Sequence, residues 1–278
     1  MTLFDKIHEA LAYIRSSIDN AHPSAGIILG SGLGGLIDII QKTAEISYSD
    51  IPHFTASTVE GHAGKFVFGT LAGKQVVMMA GRFHFYEGYN MEQVTFPIRV
   101  MKALGVETLF VSNAAGGMHR DYVVGDLVII NDHINLFPEH PLRGPNDERL
   151  GTRFPDMSEP YDLALVDMAK QIAEEKEIRV HTGVYVGLTG PTFETRAEYN
   201  WLHVIGGDVV GMSTVPEVIV ARHGDMKVFA ASVVTDLGIR EELNVITHEE
   251  VLEAAIAAAP KLAALVEELV RRLPAAGN

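Results

Sequence analysis

Five short clusters in this chain carry residue types that can do chemistry at close quarters. Gly81-Arg-Phe-His-Phe-Tyr-Glu-Gly88 contains Arg82, whose planar guanidinium forks onto two oxygens of a phosphate or carboxylate. His84, Tyr86 and Glu87 set donors and acceptors beside it. Gly30-Ser-Gly-Leu-Gly-Gly35 exposes backbone N–H groups, and Ser31 adds a hydroxyl. That combination suits a small oxyanion such as phosphate. Ser112-Asn-Ala-Ala-Gly-Gly117 is small enough to let a ligand approach the backbone. There Asn113, or the amides of Ala114 to Gly116, would meet an oxyanion or a sugar; the alternative is a plain turn.

Gly211-Met-Ser-Thr-Val-Pro-Glu217 spaces Thr214 and Glu217 as a capping box, with Pro216 in the first turn. Ser213 then stands at a helix N-terminus, where amide dipoles favour an anion. Met212 packs either under a sugar or in the core. In Gly190-Pro-Thr-Phe-Glu-Thr-Arg-Ala-Glu198, Thr195 and Glu198 form another capping box, which leaves Phe193 and Glu194 just ahead of the helix. An aromatic ring beside a carboxylate suits a flat heterocycle: the ring stacks and the carboxylate accepts N–H protons. The purely structural reading makes Phe193 a hydrophobic staple and Glu194 a complement to the helix dipole. His62 lies in a glycine-flanked turn, Glu60-Gly-His-Ala-Gly64, and by itself reads as structural.

These clusters need a rigid scaffold, and the apolar pattern supplies one. Buried strands are expected over Ala25–Leu29, Gln75–Ala80, Thr108–Val111, Leu127–Ile130, Val184–Leu188 and Val228–Val234. Helical patterns lie near 91–104, 160–176 and 195–205, and at the N-terminus through Leu3, Ile7, Leu11, Ile14 and Ile18. Thr247-His-Glu-Glu250 predicts the cap of a final helix, which Pro260 should kink. The alternation predicts an α/β fold, a single domain spanning residues 1–278 with a central mixed β-sheet flanked by helices. Most of the clusters follow a strand, the end at which open α/β sheets bind ligands. The segment 135–158 is polar, Pro-rich and irregular, as functional loops and contact surfaces are.

Composition narrows the classes. The formal charge is −14 and no long basic run occurs, so non-specific binding to nucleic acid is disfavoured. There is no cysteine, which excludes disulfides and thiolate metal sites. The N-terminus lacks the basic start and apolar run of a secretory signal, and no stretch approaches the roughly 20 apolar residues of a membrane span. A cytoplasmic protein is expected. The 12 histidines include no His-Glu-x-x-His pattern, and His133 and His140 sit only loosely beside Asp132 and Glu139, so no metal is expected.

Taken together, the clusters resemble the purine nucleoside phosphorylases of the trimeric class. The likeness runs from about Ile27 to His248 and includes Asn113-Ala-Ala-Gly-Gly117 and Pro141-Leu-Arg-Gly-Pro-Asn-Asp-Glu-Arg149. The resemblance implies phosphate-dependent cleavage of a purine nucleoside, with Ser31, His62, Arg82, His84, Ala114 and Ser213 on phosphate. It implies Tyr86, Met212 and His248 around the ribose, His248 near the 5′-hydroxyl, and Glu87 ordering the phosphate end. Phe193 and Glu194 would hold the purine, Glu194 reading the N1–H of a 6-oxopurine. Phe154 looks like the residue that reaches into a neighbouring subunit's site. A homotrimer with no metal or organic cofactor is implied, inorganic phosphate being a co-substrate.

One position departs from that pattern. The family's base-reading strand usually ends Thr-Asn, whereas here it ends Thr235-Asp236. Asparagine donates to N7 and O6; an ionised aspartate only accepts and would repel a 6-oxo group. Asp236 therefore either accepts from a 6-amino group, or is protonated beside Glu194 and donates to N7, or faces elsewhere. Inosine and guanosine are the expected substrates, with adenosine open. Rival readings are a methylthioadenosine phosphorylase, disfavoured by Glu194 and His248, and a non-catalytic nucleoside-binding protein. A third is an NAD-dependent oxidoreductase using Gly30 to Gly35, which needs an acidic residue about 20 positions on at a strand end. Glu45 and Asp50 are the only candidates, and neither ends a convincing apolar strand.

Overall fold

The computed structural model describes residues 1–18, 21–59, 63–239 and 245–274. In chain order the elements are α1 (Leu3–Ser17), β1 (Ala25–Leu29), β2 (Gln41–Ser47), β3 (Lys65–Leu71), β4 (Lys74–Ala80), α2 (Met91–Leu104), β5 (Thr108–Gly117) and β6 (Leu127–Asn135). There follow α3 (Leu163–Glu175), β7 (Val180–Gly187), α4 (Arg196–Val204), β8 (Val209–Gly211), α5 (Val215–His223), β9 (Lys227–Leu237) and α6 (His248–Arg272).

The helices start where side chains satisfy their first amides. Thr2, Asn90, Thr195 and Thr247 each accept from the amide three residues on, and that residue's side chain accepts in return. α6 runs unbroken through Pro260. Pro260 and Ile256 are both exposed, so water can take the Ile256 carbonyl that a proline cannot satisfy. Among the described residues, no helix is long and apolar enough to cross a membrane.

The strands form one mixed nine-stranded sheet, ordered β2-β3-β4-β1-β5-β8-β7-β6-β9. β9 also pairs with β5, so the far half of the sheet closes on itself. β4, β1, β5 and β9 are mutually parallel along the chain of pairings, which brings their carboxyl ends to one side. That arrangement builds a crevice at the strand ends. β1 and most of β4, β5 and β9 are buried and aliphatic, as strands covered on both faces must be.

β5 extends six residues beyond the expected Val111, through the small residues Ser112–Gly117. They are strand, not turn, because they pair in parallel with Ala231–Leu237 of β9, and they are small because neighbouring backbone lies close. A Cβ on Gly30 would come within 2.8 Å of the Asn113 Cα and the Ser112 carbonyl oxygen. β9 likewise continues past Val234, carrying Asp236 on the strand itself.

Candidate functional site

A cavity of about 300 Å³ opens at the carboxyl ends of β1, β4, β5 and β9. Its size suits a nucleoside-scale ligand. Ser31, Arg82, His84, Tyr86, Ala114, Phe193, Glu194, Met212, Ser213, Asp236 and His248 all line it. The sequence thus named most of its wall from segments far apart in the chain. His62 lies outside the described residues.

One end gathers a buried cation and hydroxyls. Arg82 follows β4 and is only 1% exposed. Its guanidinium donates to Ser213 Oγ at 2.7 Å, to Thr214 Oγ1 at 3.3 Å and to the Ser112 carbonyl. Glu217 Oε2, 3.4 Å away and equally buried, balances its charge. The same carboxylate accepts the Thr214 N–H at 2.9 Å, which locks the start of α5. Thr214 is held there at φ 68°, a strained setting for a β-branched residue. Its hydroxyl accepts from Arg82 and from Asn113 Nδ2, 2.9 Å away, so its own proton can go to Ser213 Oγ at 3.1 Å. Ser213 Oγ accepts from Arg82 and also faces the Thr214 and Tyr185 hydroxyls, at 3.1 and 3.5 Å. The resulting set is a buried cation and hydroxyls, while the first amides of α5 are taken up internally, Thr214 N–H by Glu217 and Val215 N–H by the Ser213 carbonyl.

Glu87 does not line the cavity; it organises the residues that do. Oε1 accepts the His84 amide at 2.7 Å and faces Nδ1 at 3.3 Å. Oε2 accepts from the Thr58 amide and hydroxyl at 2.9 and 2.6 Å. Burial alone would raise the Glu87 pKa, but these bonds outweigh it and bring it down to about 2. Burial, reinforced by Arg82, lowers the His84 pKa against the opposing pull of Glu87. A neutral His84 gives its Nδ1 proton to Glu87 and leaves Nε2 as an acceptor. Tyr86 stacks on His84 with ring centroids 4.7 Å apart. Burial and Glu87 push the Tyr86 phenol up to about 12, so it remains a donor at neutral pH.

The opposite end presents two carboxylates. Glu194 and Phe193 sit just before α4, as the capping box at Thr195 requires. Burial raises the Glu194 pKa, and the Asp236 charge adds to the rise. Asp236, 6% exposed, faces this end and not away from it. Oδ1 faces the Thr235 hydroxyl at 3.2 Å and Oδ2 accepts from the Tyr199 hydroxyl at 2.9 Å. His248, the first residue of α6, closes the rim. Phe154 is 85% exposed in the irregular loop and does not line its own chain's cavity.

Tyr199 is the residue that the sequence patterns passed over. It stands between Glu198 and Asn200 in a short helix that also carries Trp201, where an aromatic reads as core. Its only signal was position: one turn past the Thr195 cap, on the side of buried Leu202. The glycine loop gives no support to a dinucleotide. It leads into a 3₁₀ turn, Gly34–Ile39, in place of an α-helix. Glu45 lies on the edge strand β2, paired with Lys65 at 2.6 Å.

The comparisons with known proteins agree with this geometry. A family model described as the phosphorylase superfamily matches residues 24–271. The chain is 51% identical to purine nucleoside phosphorylase 1 of Geobacillus stearothermophilus, over 96% of this chain and 97% of that protein. The structure superposes on Schistosoma mansoni purine nucleoside phosphorylase in complex with inosine, with a TM-score of 0.93 and 44% identity, covering 99% of both chains. The complex of that enzyme with adenosine gives a TM-score of 0.93 at 45% identity, covering 99% of this chain and 100% of the other. This chain belongs to the phosphorylase superfamily, among its purine nucleoside phosphorylases.

Proposed function

We propose that the chain cleaves purine nucleosides with inorganic phosphate, giving the free base and a pentose 1-phosphate. One observation carries this reading: a single cavity has a buried guanidinium bonded to the Ser213 hydroxyl at one end, and two carboxylates beside Phe193 at the other. The distance between those ends is bridged by Tyr86, Met212 and His248, the ribose-facing groups of this reading.

The residues divide the chemistry between them. Ser31, Arg82, the Ala114 backbone and Ser213 hold phosphate, His84 accepts from its P–OH through Nε2, and His62 is a further ligand of this reading. A phosphate oxygen bonds to the anomeric carbon as the glycosidic bond breaks. The bond's electron pair leaves with the base, and the proton of hydrogen phosphate ends on the base. Bond breaking runs ahead of attack, so the sugar develops positive charge, which the held phosphate offsets. Positioning two reactants in one cavity supplies much of the acceleration. The protein groups that this scheme uses are donors, acceptors and charges already in place, and it requires neither metal nor organic cofactor. The rival binding-only reading predicts no free base. His248 at the ribose end favours a 5′-hydroxyl over the thioether of methylthioadenosine.

Release of base and pentose 1-phosphate from inosine, guanosine and adenosine, with and without phosphate, tests the reading. Phosphate-dependent release from at least one is expected; ligand binding without release would sink it. The reading includes a homotrimer in which Phe154 completes a neighbour's site. Its support is a ring 85% exposed and outside its own cavity. Light scattering should give the mass of three chains, and Phe154→Ala should raise the nucleoside KM several-fold without lowering the melting temperature. A fully active monomer would contradict it.

A further inference from the structure

We infer that Tyr199 is a positioning residue that sets which purines are taken, by holding Asp236 as a hydrogen-bond acceptor beside the base's 6-substituent. The inference rests on the purine nucleoside reading of the cavity and extends it to base preference.

The Tyr199 hydroxyl donates to Asp236 Oδ2 at 2.9 Å, and the ring is 2% exposed. The ring has a made-to-measure slot. A Cβ on Gly238 would lie 2.0 Å from the Tyr199 ring, and one on Gly116 would lie 2.7 Å from its hydroxyl and 3.0 Å from Asp236 Oδ2. Glycine at the ends of β5 and β9 therefore makes room for this tyrosine and for its contact with Asp236. The hydroxyl also reaches Glu194. A phenol has one proton, and given to Asp236 it is withheld from Glu194. Burial and the two carboxylates push the Tyr199 phenol well above its usual range, so it stays a donor.

The consequence is chemical selection. Tyr199 donates its O–H to Asp236 Oδ2, and the Thr235 hydroxyl, which also faces the Ala115 carbonyl, lies 3.2 Å from Oδ1, so the side chain is engaged as an acceptor. An ionised carboxylate accepts from a 6-amino group and repels a 6-oxo group. Glu194, accepting from the N1–H of a 6-oxopurine, pulls in the other direction. The Tyr199 hydrogen bond thus tilts the site toward 6-aminopurines, which places adenosine among the substrates.

The test is the ratio of kcat/KM for adenosine to that for inosine, measured in the wild type, Tyr199→Phe, Asp236→Asn and the double variant. Tyr199→Phe is expected to lower that ratio about tenfold, equivalent to about 1.4 kcal/mol. In the Asp236→Asn background the same change should leave the ratio within about twofold, because the coupled partner is gone. A parallel loss on both nucleosides, or an equal shift in both backgrounds, overturns the inference. Incorporating a ring-fluorinated tyrosine at 199 keeps the fold and strengthens the donor, and should raise the ratio; no change there also overturns it. A wild type with no phosphate-dependent base release from any purine nucleoside would fail the functional reading itself. An active wild type whose ratio ignores Tyr199 fails only this inference.

Discussion

Replacing Arg82 by lysine is expected to raise the KM for phosphate by about 10²-fold while moving the nucleoside KM by about threefold or less, on the scale of removing one positioned donor from a reacting centre. The side chain does three things that an ammonium cannot do together. It donates to Ser213 and Thr214 through one nitrogen and to the Ser112 carbonyl through the other, while its charge answers Glu217. Lysine keeps the charge and loses the fork. Ser213 then loses the donor that orients its hydroxyl toward the anion. Lysine is the informative replacement because alanine would leave Glu217 buried and unpaired, a loss of about 3–5 kcal/mol that threatens folding. Initial rates with phosphate and nucleoside varied separately decide the matter. Equal changes in the two KM values would show that Arg82 supports the whole cavity and does not grip the anion.

The second large effect is expected at Glu194. Glu194→Gln should lower kcat/KM for inosine by about 10- to 10²-fold, the range of a hydrogen bond to a charged acceptor. Adenosine should be unaffected or improved. The N1 of a 6-oxopurine carries a proton that a carboxylate accepts, whereas the N1 of adenosine is itself an acceptor and is repelled. An amide removes the repulsion and weakens the attraction. The volume of the side chain is almost unchanged, so packing contributes little. Loss of both substrates in parallel would assign Glu194 to the start of α4 and not to the base.

The anion end was legible in the sequence because few residue types can make one. Arginine, serine and glycine directly after buried strands have a limited set of uses, and capping boxes announce helix N-termini through Thr195, Thr214 and Thr247. The base end was half legible. Phe193 and Glu194 could be placed by counting back from Thr195, and Asp236 stood out against the family pattern. Tyr199 could not be read, because its role depends on a hydrogen bond between α4 and β9 that only the folded chain creates.

The fold shows the same division. Strands with continuous apolar runs were found, whereas β2, mostly exposed at the sheet edge, has no run to find. β8 is three residues long, too short for any periodicity. The apolar run of β3 stops at Gly69, which lies against the backbone of Gln41 and Lys42 on β2. The small residues of β5 imitate a turn because crowding at the centre of a sheet and reversal of the chain both select for small side chains.

The most direct test of phosphorolysis is phosphorus NMR on a mixture of enzyme, inosine and inorganic phosphate. The expected spectrum shows inorganic phosphate falling while a pentose 1-phosphate resonance grows, in an amount equal to the free base released. Base release with free pentose and an unchanged phosphate signal would make the chain a hydrolase and contradict the role given to Arg82 and Ser213.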